Sequence, residues 1–315
     1  MSGAKWGESF LKSGLPLEHL SQVTFRSIKW YCSPHFEYRR LNREKEHVWF
    51  DVDLVATCPT ANAHAELEVL VECKYHDLSR YWFFLPHESD GRWCFDDRVL
   101  NCGPYQILRD PKANSCLPLA PTSTGGIVVS KDGTKQENAV ATAVEQVANA
   151  FVHRCLSTMF RYNIDYHNVM DPRDELTFVP DATALVPMIV TNAALYRLRP
   201  EVTNLDVIRN AVAPIDVAEE MDWTWYYYDT PISLALQNRD AIDEHLKNEA
   251  ELIYRFPYLE DAIRRFDERP NWIAVVNIRA LAKAATAIAD HFQTLKTKPV
   301  TSLILPRASN KRRRK

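Results

Sequence analysis

The chain has 315 residues, 46% of them hydrophobic and 25% charged, an ordinary balance for a globular protein with a large core. Its formal net charge is −3, of which the terminal run Lys311–Lys315 supplies +5, so the remainder carries about −8. A body this acidic argues against non-specific attraction to nucleic acid as a property of the whole surface, and leaves any such contact to local basic patches.

Pro16 stands where proline is welcome, in the first turn of a helix that begins after Ser13-Gly14. Leu17, Leu20, Thr24 and Ile28 follow at helical spacing and are expected to face a sheet. Glu18 lies at the edge of that stripe, where it either reaches over the sheet's end or simply favours the helix dipole. Residues 29 to 40 alternate loosely and predict a strand. Arg26, Lys29, Arg39, Arg40, Arg43 and Lys45 cluster around it in sequence. Such a run reads either as phosphate contacts or as a solvated face.

The most informative stretch runs from Val48 to Tyr75 and predicts a hairpin. At a period of two, the first arm places Val48, Phe50, Val52, Leu54 and Ala56 on one apolar face, and the second does so with Leu67, Val69, Val71, Cys73 and Tyr75. The opposite faces carry Asp51 and Asp53, and Glu66, Glu68, Glu72 and Lys74. With the turn at Ala61–His64, antiparallel partners share a residue-number sum of 125, which sets Asp53 against Glu72 and Asp51 against Lys74. Lys74 then faces three carboxylates. Either a divalent cation, Mg²⁺ or Mn²⁺ in an oxygen-rich site, makes up the balance, or an Asp51–Lys74 ion pair sits beside solvated Asp53 and Glu72.

Asp53 followed across a loop by Glu72-Cys73-Lys74, with Ser13–Glu18 opening a helix upstream, resembles the D…(D/E)-x-K signature of the restriction-endonuclease-like nuclease superfamily. The likeness covers roughly residues 13 to 75. It implies an α/β fold, a restriction-endonuclease-like mixed central β-sheet flanked by helices, here with a helical C-terminal elaboration. It also implies roles. Asp53, Glu72 and the main-chain carbonyl of Cys73 would hold Mg²⁺ or Mn²⁺, Glu18 would hold a second ion directly or through water, and Lys74 would orient the attacking water or stabilise the transition state. Asp51 competes with Asp53 as the ligand. One branch of the superfamily has a helical glutamine followed four residues later by tyrosine; here Gln146 is followed by Ala150, so that motif is incomplete.

After Tyr75 comes an apolar patch, Tyr81 to Pro86, then a Cys-, Gly- and Pro-rich region to Gly126 without clear periodicity. Residues 137 to 160 predict a helix whose stripe is Val140, Val144, Val147, Phe151 and Cys155. Ala184 to Thr191 predicts a strand in a parallel β-α-β crossover, with Pro187 arguing for an edge or a bulge. Trp223 to Asp229 and Trp272 to Asn277 predict further strands. Residues 231 to 265 read as two or three helices, and an alanine-rich helix extends to about Leu295. One elaborated domain over 1–295 is expected, with core 13–195, a helical insertion near 231–270, a returning strand and helix at 272–295, and a basic tail at 296–315.

The seven cysteines, Cys32, Cys58, Cys73, Cys94, Cys102, Cys116 and Cys155, show no CxxC and no paired spacing, which argues for reduced thiols rather than a disulfide scaffold. Cys94, Cys102 and His87 fit no usual zinc spacing. No apolar run approaches the ~20 residues of a membrane helix, and no signal-peptide pattern opens the chain, so a cytoplasmic protein without membrane contact is expected. Two functions remain open. One is a metal-dependent DNA endonuclease of restriction, repair or antiphage defence, acting on double- or single-stranded DNA, as a homodimer or with a targeting protein partner. Lys29, Arg39, Arg40 and Arg43 would be its phosphate contacts. The other is a catalytically inactive nuclease-fold subunit that binds nucleic acid or protein.

Overall fold

The computed structural model describes residues 3–41, 46–59, 66–76, 79–87, 100–102, 105–108, 120–136, 139–169, 183–255, 260, 263–264, 270–294 and 296–299. The Ala61–His64 turn, Arg43, Lys45, Cys94, Cys116 and the terminal Lys311–Lys315 run lie outside these residues.

Two helices, α1 (Gly3–Lys12) and α2 (Leu15–Ser27), open the chain. There follow the strands β1 (Tyr31–Leu41), β2 (His47–Pro59), β3 (Glu66–Lys74), β4 (Arg80–Pro86), β5 (Leu100–Cys102), β6 (Tyr105–Leu108), β7 (Thr122–Ser130) and β8 (Lys135–Gln136). The long helix α3 (Ala139–Val169) leads to β9 (Thr183–Thr191) and β10 (Ala194–Leu198). Then come α4 (Leu205–Asn210), β11 (Ala218–Met221), β12 (Trp223–Tyr227), α5 (Ile232–Asn248), α6 (Ala250–Arg255), β13 (Trp272–Asn277), α7 (Leu281–Thr294) and β14 (Lys296–Pro299). The fold is mixed α/β, and no helix among the described residues is long and apolar enough to cross a membrane.

One large mixed sheet carries the order β1-β2-β3-β9-β13-β12-β7-β4-β10-β11, with β5 and β8 attached to β9 and β7. The expected crossover is present: β3 and β9 pair in parallel, from Glu66↔Thr183 to Lys74↔Thr191. Only Asn192 and Ala193 separate β9 from β10, so the connection spans at most ~11 Å, yet the two strands lie five positions apart, about 24 Å on a flat sheet. The sheet therefore curls back on itself.

The core lies in two layers. Against one face of the sheet pack α3 and α5, and the expected α3 stripe of Val140, Val144, Val147, Phe151 and Cys155 is buried throughout. Against the other face pack α2 and α7, with Leu67, Val69, Val71 and Cys73 of β3 beneath them. The buried face of α2 is Leu17, Ser21 and Phe25 rather than the expected stripe, because Leu20 is exposed.

Three other expectations need correction. Pro187 is not at an edge: β9 is central, and Pro187 pairs with Leu70 of β3. On its other flank β5 pairs only as far as Leu185 and β13 begins at Met188, so the missing N–H falls at the changeover between two partners. The basic tail expected from 296 opens with a strand, β14, which pairs antiparallel with β6. Finally, the apolar face expected on the first hairpin arm is divided. Phe50 and Val52 enter the α3 layer, whereas Leu54 and Ala56 enter the α2/α7 layer.

Candidate active site

The division occurs at one position on two strands. β1 and β2 keep a single register from Tyr31↔Thr57 to Leu41↔His47, but His35, which falls opposite Asp53, adopts φ 51°. A positive φ is uncommon outside glycine and rotates the chain. On the β1 side, Cys32 joins the α2/α7 layer while Phe36 and Tyr38 join the α3 layer, matching the switch in β2. Asp53 thus stands at the seam between the two layers.

The hairpin register follows the sum of 125, from Pro59↔Glu66 to Leu54↔Val71. Just beyond, the Cys73 N–H donates to Asp53 Oδ2 at 2.6 Å. That bond brings Asp53 to the end of β3, where Glu72 and Lys74 emerge. Lys74 Nζ donates to Glu72 Oε1 at 2.6 Å, so Lys74 is paired with Glu72 and not with Asp51. Asp51 is exposed and lies 3.4 Å from His35 Nδ1. Of the two competing acids, Asp53 is the one at the strand end.

Glu18 comes in from the first turn of α2. Gly14, at φ 85°, opens that helix, and a side chain there would meet Glu18 Oε1 at 3.4 Å. The carboxylate therefore folds over the helix start. Burial, followed by the negative charge of Asp53, raises the Glu18 pKa. Burial also raises Asp53, against the lowering effect of the Cys73 amide and Lys74. Glu72, 3% exposed, is pushed up to about 7, first by burial and then by Asp53, with Lys74 opposing. Glu18, Asp53 and Glu72, with Asp51 adding to the repulsion from further out, thus share one ammonium at the C-terminal end of β3. The thiol of Cys73 plays no ionised part: burial, then the negative charge of Asp53, drives its pKa upward, and Ser21 Oγ, 3.6 Å from its Sγ, opposes that only in part.

The acidic face of β3 is not solvated, as an open hairpin would require. Glu68 is 3% exposed beneath α3. Arg154 holds it with two bonds, Nε to Oε2 at 2.9 Å and Nη2 to Oε1 at 2.7 Å. Arg154 and His35 are the neighbours that sequence reasoning missed. Arg154 lies 86 positions from its partner, and only the assembled register sets His35 against Asp53.

The basic residues divide. Lys29 is exposed just after α2 with φ 68°. Arg39 and Arg40 lie at the far end of β1, about 30 Å along a strand of that length, and border a cavity against α3 and α5. Arg43 lies outside the described residues. Among the described residues, Lys29 is therefore separate from Arg39 and Arg40.

The donor set of Asp53, Glu72 and Glu18 consists of hard carboxylate oxygens whose charges oppose one another, the chemistry that suits Mg²⁺ or Mn²⁺. Among the described residues no group of three His, Cys, Asp or Glu side chains is close enough to hold a metal ion. Any such site would rest on two carboxylates with main-chain oxygen or water. Compared with family models, curated proteins and solved structures, the chain shows no significant match. The functional reading therefore rests on this geometry and on the D…E-x-K resemblance.

Proposed function

We propose that this chain is a Mg²⁺- or Mn²⁺-dependent DNA endonuclease on a restriction-endonuclease-like fold. The observation that carries the reading is the Asp53–Cys73 hydrogen bond, which joins the acid of one strand to the E-x-K end of the next. Strand C-termini in α/β sheets are where ligands usually bind. Asp53 and Glu72 would hold the ion with the Cys73 carbonyl, and Glu18 would hold a second ion directly or through water. When bound, the metal would polarise the scissile phosphate and favour ionisation of the attacking water.

The chain's own groups do the rest. Glu72, whose pKa is raised first by burial and then by Asp53, would give up any proton on holding a divalent ion. Lys74 Nζ, now bonded to Glu72, turns to a phosphate oxygen and opposes the charge that develops there. Asp53 keeps its orientation through the Cys73 amide. Water adds to phosphorus as the P–O bond to the leaving sugar oxygen breaks, the proton lost by the water passing through solvent to that departing oxygen. Lys29 and Arg39, both exposed, would meet the DNA backbone at separate points.

Incubating supercoiled plasmid and single-stranded DNA with Mg²⁺ or Mn²⁺, beside Lys74→Ala, tests this. Metal-dependent cutting by the native protein that vanishes in the folded variant supports it; equal cutting by the variant sinks the assignment. A second reading, a nuclease-fold subunit that binds without cutting, is favoured by the closed Lys74–Glu72 pair and the acidic body. It predicts DNA or protein binding with no cleavage and no Mn²⁺ uptake.

A further inference from the structure

A second polar cavity lies apart from the acidic site, between the β1–β2 edge and the helices α3 and α5. Its volume is about 230 Å³, and its walls include Arg39, Arg40, His47 and His153 on one side and Asp240 and Glu244 on the other. Arg40 lies over the Phe50 ring, 4.2 Å from its centroid. Its Nε is buried and has no hydrogen-bond partner among the described residues. A buried donor on a charged group is costly to leave unmatched, and an anion is the partner that satisfies it best. His153 stacks on Tyr38 at 4.8 Å beside it. Burial, then the positive charge of Arg40, lowers its pKa to about 4, so it meets a ligand as a neutral imidazole.

The two walls ask for different groups. The arginine side offers more N–H donors than the two oxygens of a carboxylate use, and a phosphate monoester has three terminal oxygens to receive them. Asp240 and Glu244 repel a bare anion but accept from hydroxyls or amines. The volume lies below the ~300–1,000 Å³ of drug-sized sites, which admits one phosphorylated unit and no duplex. We propose that this cavity binds a phosphate monoester with a donor-bearing body, a nucleotide or sugar phosphate, with its phosphate on Arg40 and its body on Asp240 and Glu244. The source is either a free metabolite or the phosphorylated end of a nucleic-acid strand. This does not depend on the nuclease reading.

Calorimetric titration of the full chain tests it, with adenosine 5′-monophosphate, glucose 6-phosphate, a 5′-phosphorylated oligonucleotide and inorganic phosphate as probes. At least one ester binds the native protein, and Arg40→Met weakens it by about tenfold or more. Tighter binding of the oligonucleotide than of adenosine 5′-monophosphate assigns the site to strand ends, and the reverse assigns it to a metabolite; both support the site. No ester binding, or unchanged binding by folded Arg40→Met, overturns it. If Arg40→Met does not fold, the exposed Asp240→Asn replaces it. That variant must weaken the esters and strengthen inorganic phosphate, and no change in either overturns the proposal.

Discussion

Asp53 Oδ2 accepts the main-chain N–H of Cys73 at 2.6 Å, tying the acid at the seam of β2 to the residue between Glu72 and Lys74. The bond separates two roles of one side chain. Asp53→Asn keeps a carbonyl oxygen for the amide and removes the charge; Asp53→Ala removes both. The Asp53→Asn variant is therefore expected to fold with near-native stability and to lose Mn²⁺ binding and metal-dependent cleavage. The alanine variant should lose a further ~1–3 kcal/mol, the cost of a buried donor left unmatched. Urea unfolding beside calorimetry with Mn²⁺ checks both. An asparagine variant that still binds and cuts would remove Asp53 from the site.

Glu68 and Arg154 should govern stability without touching chemistry. Both are largely buried, and the pair is bidentate. Removing one partner of such a pair strands a charge in the core and costs about 3–5 kcal/mol, whereas replacing both by apolar residues is often near neutral. Arg154→Met is expected to fall in that range in urea unfolding. Adding Glu68→Met should restore most of the loss. A single variant within about 1 kcal/mol of native would mean that the pair is more solvated than its geometry indicates.

The pH dependence of stability should carry the mark of His153. Its pKa is lowered to about 4 by burial and by Arg40, from an ordinary 6.5. Between those values the unfolded chain binds a proton that the folded chain refuses, so stability is present above pH 6.5 and is lost as pH falls toward 4. The full effect is of order 3 kcal/mol at 1.36 kcal/mol per unit. Glu72 acts in the opposite sense: its stabilising share is present below pH 4.5 and is lost as pH rises through about 7. The difference between native protein and His153→Gln isolates the histidine. Unfolding free energies should diverge in the variant's favour as pH drops from 6.5 toward 4. Parallel curves would mean that His153 is protonated freely in the fold.

Much of the frame was legible because local patterns and tertiary packing agree. The α3 stripe, the strands β9, β12 and β13, and the hairpin register all follow from periodicity and from one turn. That Asp53 would meet Glu72-Cys73-Lys74 was legible because they lie on neighbouring strands in that register. The rest depends on long-range geometry. Nothing in residues 66 to 74 tells that Arg154 will cover Glu68, so a face that alternates like a solvated one is buried. His35 takes a left-handed conformation that no local motif marks, opposite the point where Phe50 and Val52 part from Leu54 and Ala56. Lys74 prefers Glu72, two residues away on its own strand, to Asp51 across the hairpin, because Asp51 lies out in solvent beside His35.

Close packing between helix and sheet at Gly126 sets a last expectation. Gly126 on β7 faces the start of α3, and a β-carbon there would lie 2.8 Å from Val140 Cγ1 and 3.1 Å from Phe84 Cε1. Val140 and Phe84 are buried in the layer that covers Glu68, so neither swings clear without disturbing its neighbours. Gly126→Ala is expected to cost about 1–3 kcal/mol as an overpacked contact. Val140→Ala alone leaves a small void and should also destabilise. Together they should cost less than the sum of the two, because the shortened side chain opens the space that the new methyl needs. A double-mutant cycle in urea reads that coupling, expected at about 0.5–3 kcal/mol. Additive losses would show that β7 shifts away from α3 instead of pressing on Val140.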